Sequence, residues 1–276
     1  MPTIHLAHSP DSDDAFMFYA LAQHKIATED VEFVHVLQDI QTLNEWAKHG
    51  KYEVTALSFH AYALLADRYA LLPHGASMGE GYGPVIISHK PLSESDAKQT
   101  VIASPGGLTT AHLLLKIWHP EVQTRVMPFD KILPAVLSGE VAAGLLIHEG
   151  QLTYADEGAH KVVDFGEWWS EREPGLPLPL GGNGIRKDLG PSLMRQVSRL
   201  LKASIEYGLS DRERGLDHAA TFARGLDRKL MDRFVGMYVN QRTVDYGAAG
   251  RKAVQRLLDL GAERGLIPAV QAEFVD

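Results

Sequence analysis

Short apolar runs alternate with amphipathic stretches along almost the whole chain. Residues 4–7 form a short strand-like run. Ser12 then stands where a helix N-cap would, with Asp13 and Asp14 in the first turn, where the helix dipole favours carboxylates. Phe16, Tyr19 and Ala20 follow at helical spacing. Residues 31–37 predict a second strand, and Ile40, Leu43 and Ala47 a helix that Gly50 ends. Residues 54–57 predict a third strand, with Ser58 opening a helix that runs towards Asp67. A glycine-rich stretch from Gly75 to Gly83 leads into a strand over 84–88.

The pattern then restarts. Residues 101–103 predict a strand, and Ala111, Leu114, Leu115 and Trp118 fit the i, i+3, i+4, i+7 spacing of a helix face. A strand over 125–127 and a helix around 132–137 follow, with Pro134 near the helix start or bending it. Residues 141–147 read as a buried strand, and 162–165 as another. Two prolines make 176–180 extended. Residues 191–263 read as mainly helical, with core stripes at Met194, Val197, Leu201, Ile205 and at Val254, Leu257, Leu258. Alternating strands and helices imply an α/β fold in two lobes. Residues 1–88 form the first, 89–182 the second, and 183–276 pack back on the first. Two chain crossings then make a hinge beside a cleft, the usual place for a small molecule.

Composition narrows the chemistry. The chain has 276 residues, a net charge of −8 and no cysteine. Disulfides, thiolate metal sites and cysteine nucleophiles are therefore excluded. The acidic balance argues against a nucleic-acid surface. No window is apolar enough to cross a membrane, and the opening residues carry no export signal, so the expected location is the cytoplasm.

Candidate chemistry gathers at strand ends. The run over 141–147 stops at His148, and a histidine at a strand's carboxyl end can exchange protons with a ligand in the crevice. Ser9 to Asp14, Ala56-Leu57-Ser58, Thr109-Thr110-Ala111 and His148-Glu149 can all line one cleft. Helix-start amides with Ser and Thr hydroxyls suit a carboxylate or polyol. Three competing motifs fail. Gly75-Ala76-Ser77-Met78-Gly79 matches a nucleophile elbow but runs on into a strand. Gly79, Gly81 and Gly83 lack the helix of a dinucleotide site, and Leu152 replaces the second histidine of a zinc motif. No metal site is expected. Asp13 and Asp14 read as dipole-stabilising acids, and Trp168 and Trp169 as packing residues.

Several segments in order resemble one family, the 1,4-dihydroxy-6-naphthoate synthases of the futalosine route to menaquinone. They include Asp14-Ala15-Phe16-Met17-Phe18-Tyr19, Thr42-Leu43-Asn44, Thr55-Ala56-Leu57-Ser58, Thr109-Thr110-Ala111 and Ile147-His148-Glu149. Asp164-Phe165-Gly166-Glu167-Trp168-Trp169, Gly175-Leu176-Pro177-Leu178-Pro179-Leu180-Gly181 and Tyr238-Val239-Asn240 continue the match. Ser12, Asp11 and Gly150 depart from the family pattern in loops that shape the cleft. The resemblance implies a type II periplasmic-binding-protein-like fold, two α/β lobes around a central cleft. It implies conversion of cyclic dehypoxanthinyl futalosine to 1,4-dihydroxy-6-naphthoate and dihydroxyacetone, without cofactor or metal. It places His148 as proton acceptor and Ala56, Leu57, Ser58, Thr110 and Ala111 against a carboxylated small-molecule substrate. A chorismate dehydratase of the same pathway and a non-catalytic binding protein are the alternatives on this scaffold.

Overall fold

The computed structural model describes residues 1–222 and 227–275. Among the described residues eleven strands run in chain order: β1 (Thr3–His8), β2 (Glu32–Leu37), β3 (Val54–Ser58), β4 (Tyr69–Leu71), β5 (Ser77–Gly79), β6 (Val85–Ser88), β7 (Ile102–Ser104), β8 (Thr124–Val126), β9 (Ala143–Leu146), β10 (His160–Asp164) and β11 (Leu178–Arg186). They form two sheets. One has the order β2-β1-β3-β11-β4, with β5 pairing β11; the other has the order β10-β6-β9-β7-β8. β1 runs parallel to β2 and β3, while β11 runs antiparallel to β3 and β4. Every residue of β3 is buried, as expected of a strand covered on both faces.

The strand over 85–88, grouped by sequence with the first lobe, hydrogen-bonds between β9 and β10 in the second sheet. The crossing comes earlier, through the glycine-rich turn after β5, where small residues let the chain pass close to its neighbours. β11 lies in the first sheet from Leu178 onward.

Other local readings shift for identifiable reasons. Asp11, not Ser12, occupies the cap position of the helix Ser12–Met17, and no side chain caps it. The helix after β3 covers only Phe59–Ala63, short of Asp67. Pro134 sits well inside the helix Phe129–Leu137 rather than near its start. β9 covers only the centre of the predicted strand over 141–147.

The first sheet buries Leu6, Val54 and Ile185 against Phe16 and against Val197, Leu201 and Ile205 of the helix Pro191–Ser210. The stripe at Val254, Leu257 and Leu258 lies on the helix Gly247–Glu263 and joins a cluster with Leu114 and Leu115 from the helix Thr110–Trp118. The helical reading over 191–263 includes residues 223–226, which lie outside the described residues. Among the described residues no helix is long and apolar enough to cross a membrane.

Candidate functional site

Strand ends from both sheets surround a cleft of about 790 Å³, counting its open mouth. Its lining includes Ala56, Leu57, Ser58, Thr110 and Ala111, with no lysine or arginine among the described lining residues.

One wall is a set of hydrogen-bond donors. Thr109 caps the nine-residue helix Thr110–Trp118, its hydroxyl accepting from the His112 amide. The amides of Thr110 and Ala111, among the first of the helix, have no intrahelical acceptor. Asn44, fully buried, clamps Ser58 twice: its Oδ1 accepts from the Ser58 amide and its Nδ2 donates to Ser58 Oγ, both at 3.0 Å. The Thr110 Oγ1 accepts from the Phe59 amide at 2.9 Å. Both hydroxyl oxygens thus accept from inside the protein, which leaves their own protons to donate into the cleft. Asn44 belongs to the Thr42-Leu43-Asn44 segment, yet its bracing role carried no local signal in the sequence.

Another wall, after β1, is acidic. Asp11, Asp13 and Asp14 all line the cleft. Asp14 Oδ2 accepts from the Ser9 amide at 2.8 Å, and Asp11 Oδ2 accepts from Ser9 Oγ at 2.5 Å. Burial pushes the Asp14 carboxyl up to about 7, even against that amide bond. Burial also raises Asp13 well above the ordinary carboxylate range, with Asp14, Asp11 and Glu149 adding repulsion. The reading of Asp13 and Asp14 as dipole-stabilising acids is therefore incomplete, because desolvation outweighs the helix-start field. Asn183, in the middle of β11, also lines this cleft. Among the described residues no group of three or more His, Asp or Glu is arranged to hold a metal ion.

His148 stands beside the cleft rather than on its wall. The ring Nε2 donates to the Phe129 carbonyl at 3.1 Å, and Nδ1 accepts from the Gly150 amide at 2.9 Å. Since an amide can only donate, Nδ1 carries the lone pair and Nε2 the proton. Glu149 Oε2 lies 3.9 Å from Nδ1. The neighbours Ile147 and Gln151 do line the cleft. Gln151 Oε1 accepts from the Tyr238 hydroxyl at 3.0 Å, which ties this loop to the helix Arg228–Tyr238. Trp169 is fully buried, its indole N–H donating to the Leu176 carbonyl, so it packs rather than binds.

A menaquinone-biosynthesis family model matches residues 4–263. The chain is 40% identical over 276 residues to a 1,4-dihydroxy-6-naphthoate synthase of Thermus thermophilus, covering 100% of both. A crystal structure of a protein from Archaeoglobus fulgidus superposes with a TM-score of 0.92 at 46% identity, over 96% of this chain and 98% of that one. The alkanesulfonate-binding protein of Xanthomonas axonopodis pv. citri, with a TM-score of 0.70 at 15% identity over 99% and 96% of the two chains, shares the periplasmic-binding-protein fold. The chain belongs to the 1,4-dihydroxy-6-naphthoate synthase family of menaquinone-biosynthesis enzymes.

Proposed function

We propose that the chain converts cyclic dehypoxanthinyl futalosine to 1,4-dihydroxy-6-naphthoate and dihydroxyacetone. One observation carries this reading beyond family membership. Ser58, Thr110 and Ala111, brought from different strand ends, point neutral donors into one cleft. Four donors, two hydroxyls and two amides, hold the substrate carboxylate without a lysine or arginine. Ala56 and Leu57 supply the adjoining wall.

His148 is the general base. Neutral imidazole suits proton removal near pH 7. Its Nδ1 already carries the lone pair, and its ring turns about the Cα–Cβ bond to enter a cleft that Ile147 and Gln151, on either side of it in the chain, line. Loss of the proton breaks the bond to the sugar remnant, and formation of the aromatic ring drives the step. That chemistry calls for neither a metal nor a redox cofactor, and it fits a cytoplasmic enzyme.

Purified protein is incubated separately with cyclic dehypoxanthinyl futalosine and with chorismate, and the products are resolved by chromatography. Naphthoate and dihydroxyacetone are expected from the first and nothing from the second. Dehydration of chorismate, or tight binding without product, would overturn the reading. His148→Asn is expected to lower kcat by about 10²–10⁴ while ligand binding persists.

A further inference from the structure

Asn183 is only 2% exposed, and its side chain is half satisfied. Nδ2 donates to the Gly75 carbonyl at 3.0 Å, whereas Oδ1 is buried with no hydrogen-bond partner. The orientation is fixed chemically, because a flipped amide would set its oxygen against the Gly75 oxygen. Gly75 is required for this approach: φ is +72°, and a Cβ there would lie 2.4 Å from Asn183 Nδ2. An unmet buried acceptor costs about 1–3 kcal/mol. A ligand hydroxyl donating to Oδ1 removes that cost.

Asp13 and Asp14 line the same cleft. Carboxyls that keep their protons above the ordinary carboxylate range both donate and accept, as hydroxyls do. Ionised carboxylates in the same place repel a ligand carboxylate. Either state favours ligand hydroxyls over an anionic group beside these carboxyls. Asn183 pairs with Ala56 in the β11–β3 register, and Gly181 with Ser58. The two anchor points are thus two residues apart along the sheet, or roughly 7 Å.

We infer that Asn183 and the acidic wall, which flank β3 in the sheet order, take the hydroxylated parts of the ligand, and that Asn183 Oδ1 is the acceptor that selects for them. This rests on the proposed function only in placing the carboxylate at Ser58 and Thr110. It gives the cleft a pattern: anionic group at Ser58 and Thr110, hydroxyls at Asn183 and at the acidic wall.

Calorimetry with two probes tests it on the full chain. Benzoate carries a carboxylate alone; gluconate carries a carboxylate and hydroxyls. Wild-type protein is expected to bind both. Asn183→Leu is expected to weaken gluconate about tenfold, the worth of one buried hydrogen bond, and to leave benzoate within about twofold. Retained benzoate binding also shows that the variant is folded. Asp14→Asn, which keeps an oxygen for the Ser9 amide, is a second variant with the same expected split. Equal loss of both probes, loss of neither, or a wild type blind to gluconate overturns the inference. Turnover of cyclic dehypoxanthinyl futalosine is measured separately, so failure of the proposed reaction and failure of the polyol site are read independently.

Discussion

The two walls of the cleft use one backbone device to opposite ends. Each includes a strand that ends in a polar residue ahead of a helix, β1 before the helix Ser12–Met17 and β3, at Ser58, before the helix Phe59–Ala63. At the donor wall the demand of each hydroxyl oxygen is met from behind, by Asn44 for Ser58 and by the Phe59 amide for Thr110. The exposed face is then all protons and carries no charge that pH can change. At the acidic wall Asp13 and Asp14 are crowded and desolvated, and their charge depends on pH. The polarity of each side chain here comes from what lies behind it, and the helix-start amides of Thr110 and Ala111 add donors at one wall.

Breaking the donor wall has the largest expected effect. Thr110→Val keeps the shape but leaves the buried Phe59 amide without an acceptor, which costs about 1–3 kcal/mol of stability. It also deletes a donor to the ligand carboxylate. KM is expected to rise about 10- to 100-fold with a smaller change in kcat, because the lost contact exists before the chemical step. Steady-state kinetics and thermal unfolding measure the two parts. A lower melting temperature with unchanged KM would make Thr110 a brace alone.

The acidic wall is sharpened by pH. Asp14 has a folded pKa of about 7, above its value in the unfolded chain, so the folded state holds a proton that the unfolded state has lost. This contribution to stability is intact below about pH 4 and lost as pH rises through about 7. Buried histidines work in the other direction: burial lowers His8 to about 3 and His35, His74 and His112 to about 4. They remain neutral when folded, so their contribution is lost as pH falls from about 6.5 through those values. Wild-type stability is expected to rise between about pH 4 and 6.5, held back by Asp14. Asp14→Asn removes its share of the restraint, Asp13 retaining its own. The variant is expected to match wild type near pH 4 and to exceed it by roughly 2 kcal/mol at pH 8. Urea unfolding at several pH values gives the difference, and a constant offset would show that Asp14 is not the titrating group.

Most strands were legible as apolar runs, clearest where burial on both faces leaves a continuous apolar signal, as in β3 and β9, while the short β4 and β5 were not read as strands. The second half of β11 was not. Gly181-Gly182-Asn183-Gly184 carries no hydrophobic pattern and reads locally as a turn; pairing with β3 and β4 makes it a strand. Ser58 and Thr110 were legible as hydroxyls at helix starts, but the Asn44 clamp joins segments far apart in sequence. Asp13 and Asp14 look like ordinary first-turn acids. What changes their chemistry is cover from other parts of the fold, including Glu149. Local pattern carries no record of such cover. The same holds for His148, whose position at a strand end was readable and whose ring direction was not.

That ring direction gives the smallest and most diagnostic test. The imidazole rests over Gly150, and a Cβ at residue 150 would lie 2.8 Å from His148 Cε1 and 3.3 Å from Nδ1. The neighbour that must yield is the end of a rotatable side chain, not backbone, so Gly150→Ala is expected to change stability by less than about 1 kcal/mol. It makes the resting position of the ring crowded and weakens the bond from the residue 150 amide. The competing position, turned into the cleft between Ile147 and Gln151, gains population. If that position is the reactive one, activity rises with the fraction of molecules holding it, by about two- to threefold where the resting position now dominates modestly. Proton NMR of the imidazole reports the move directly, through loss of the shielding contact with the Phe129 ring, whose centroid is 5.2 Å away. Movement of the ring with a fall in kcat would mean that the resting hydrogen bonds, to Phe129 and Gly150, are themselves the working arrangement. The base would then act from beside the cleft, and the donor wall would have to bring the substrate to it.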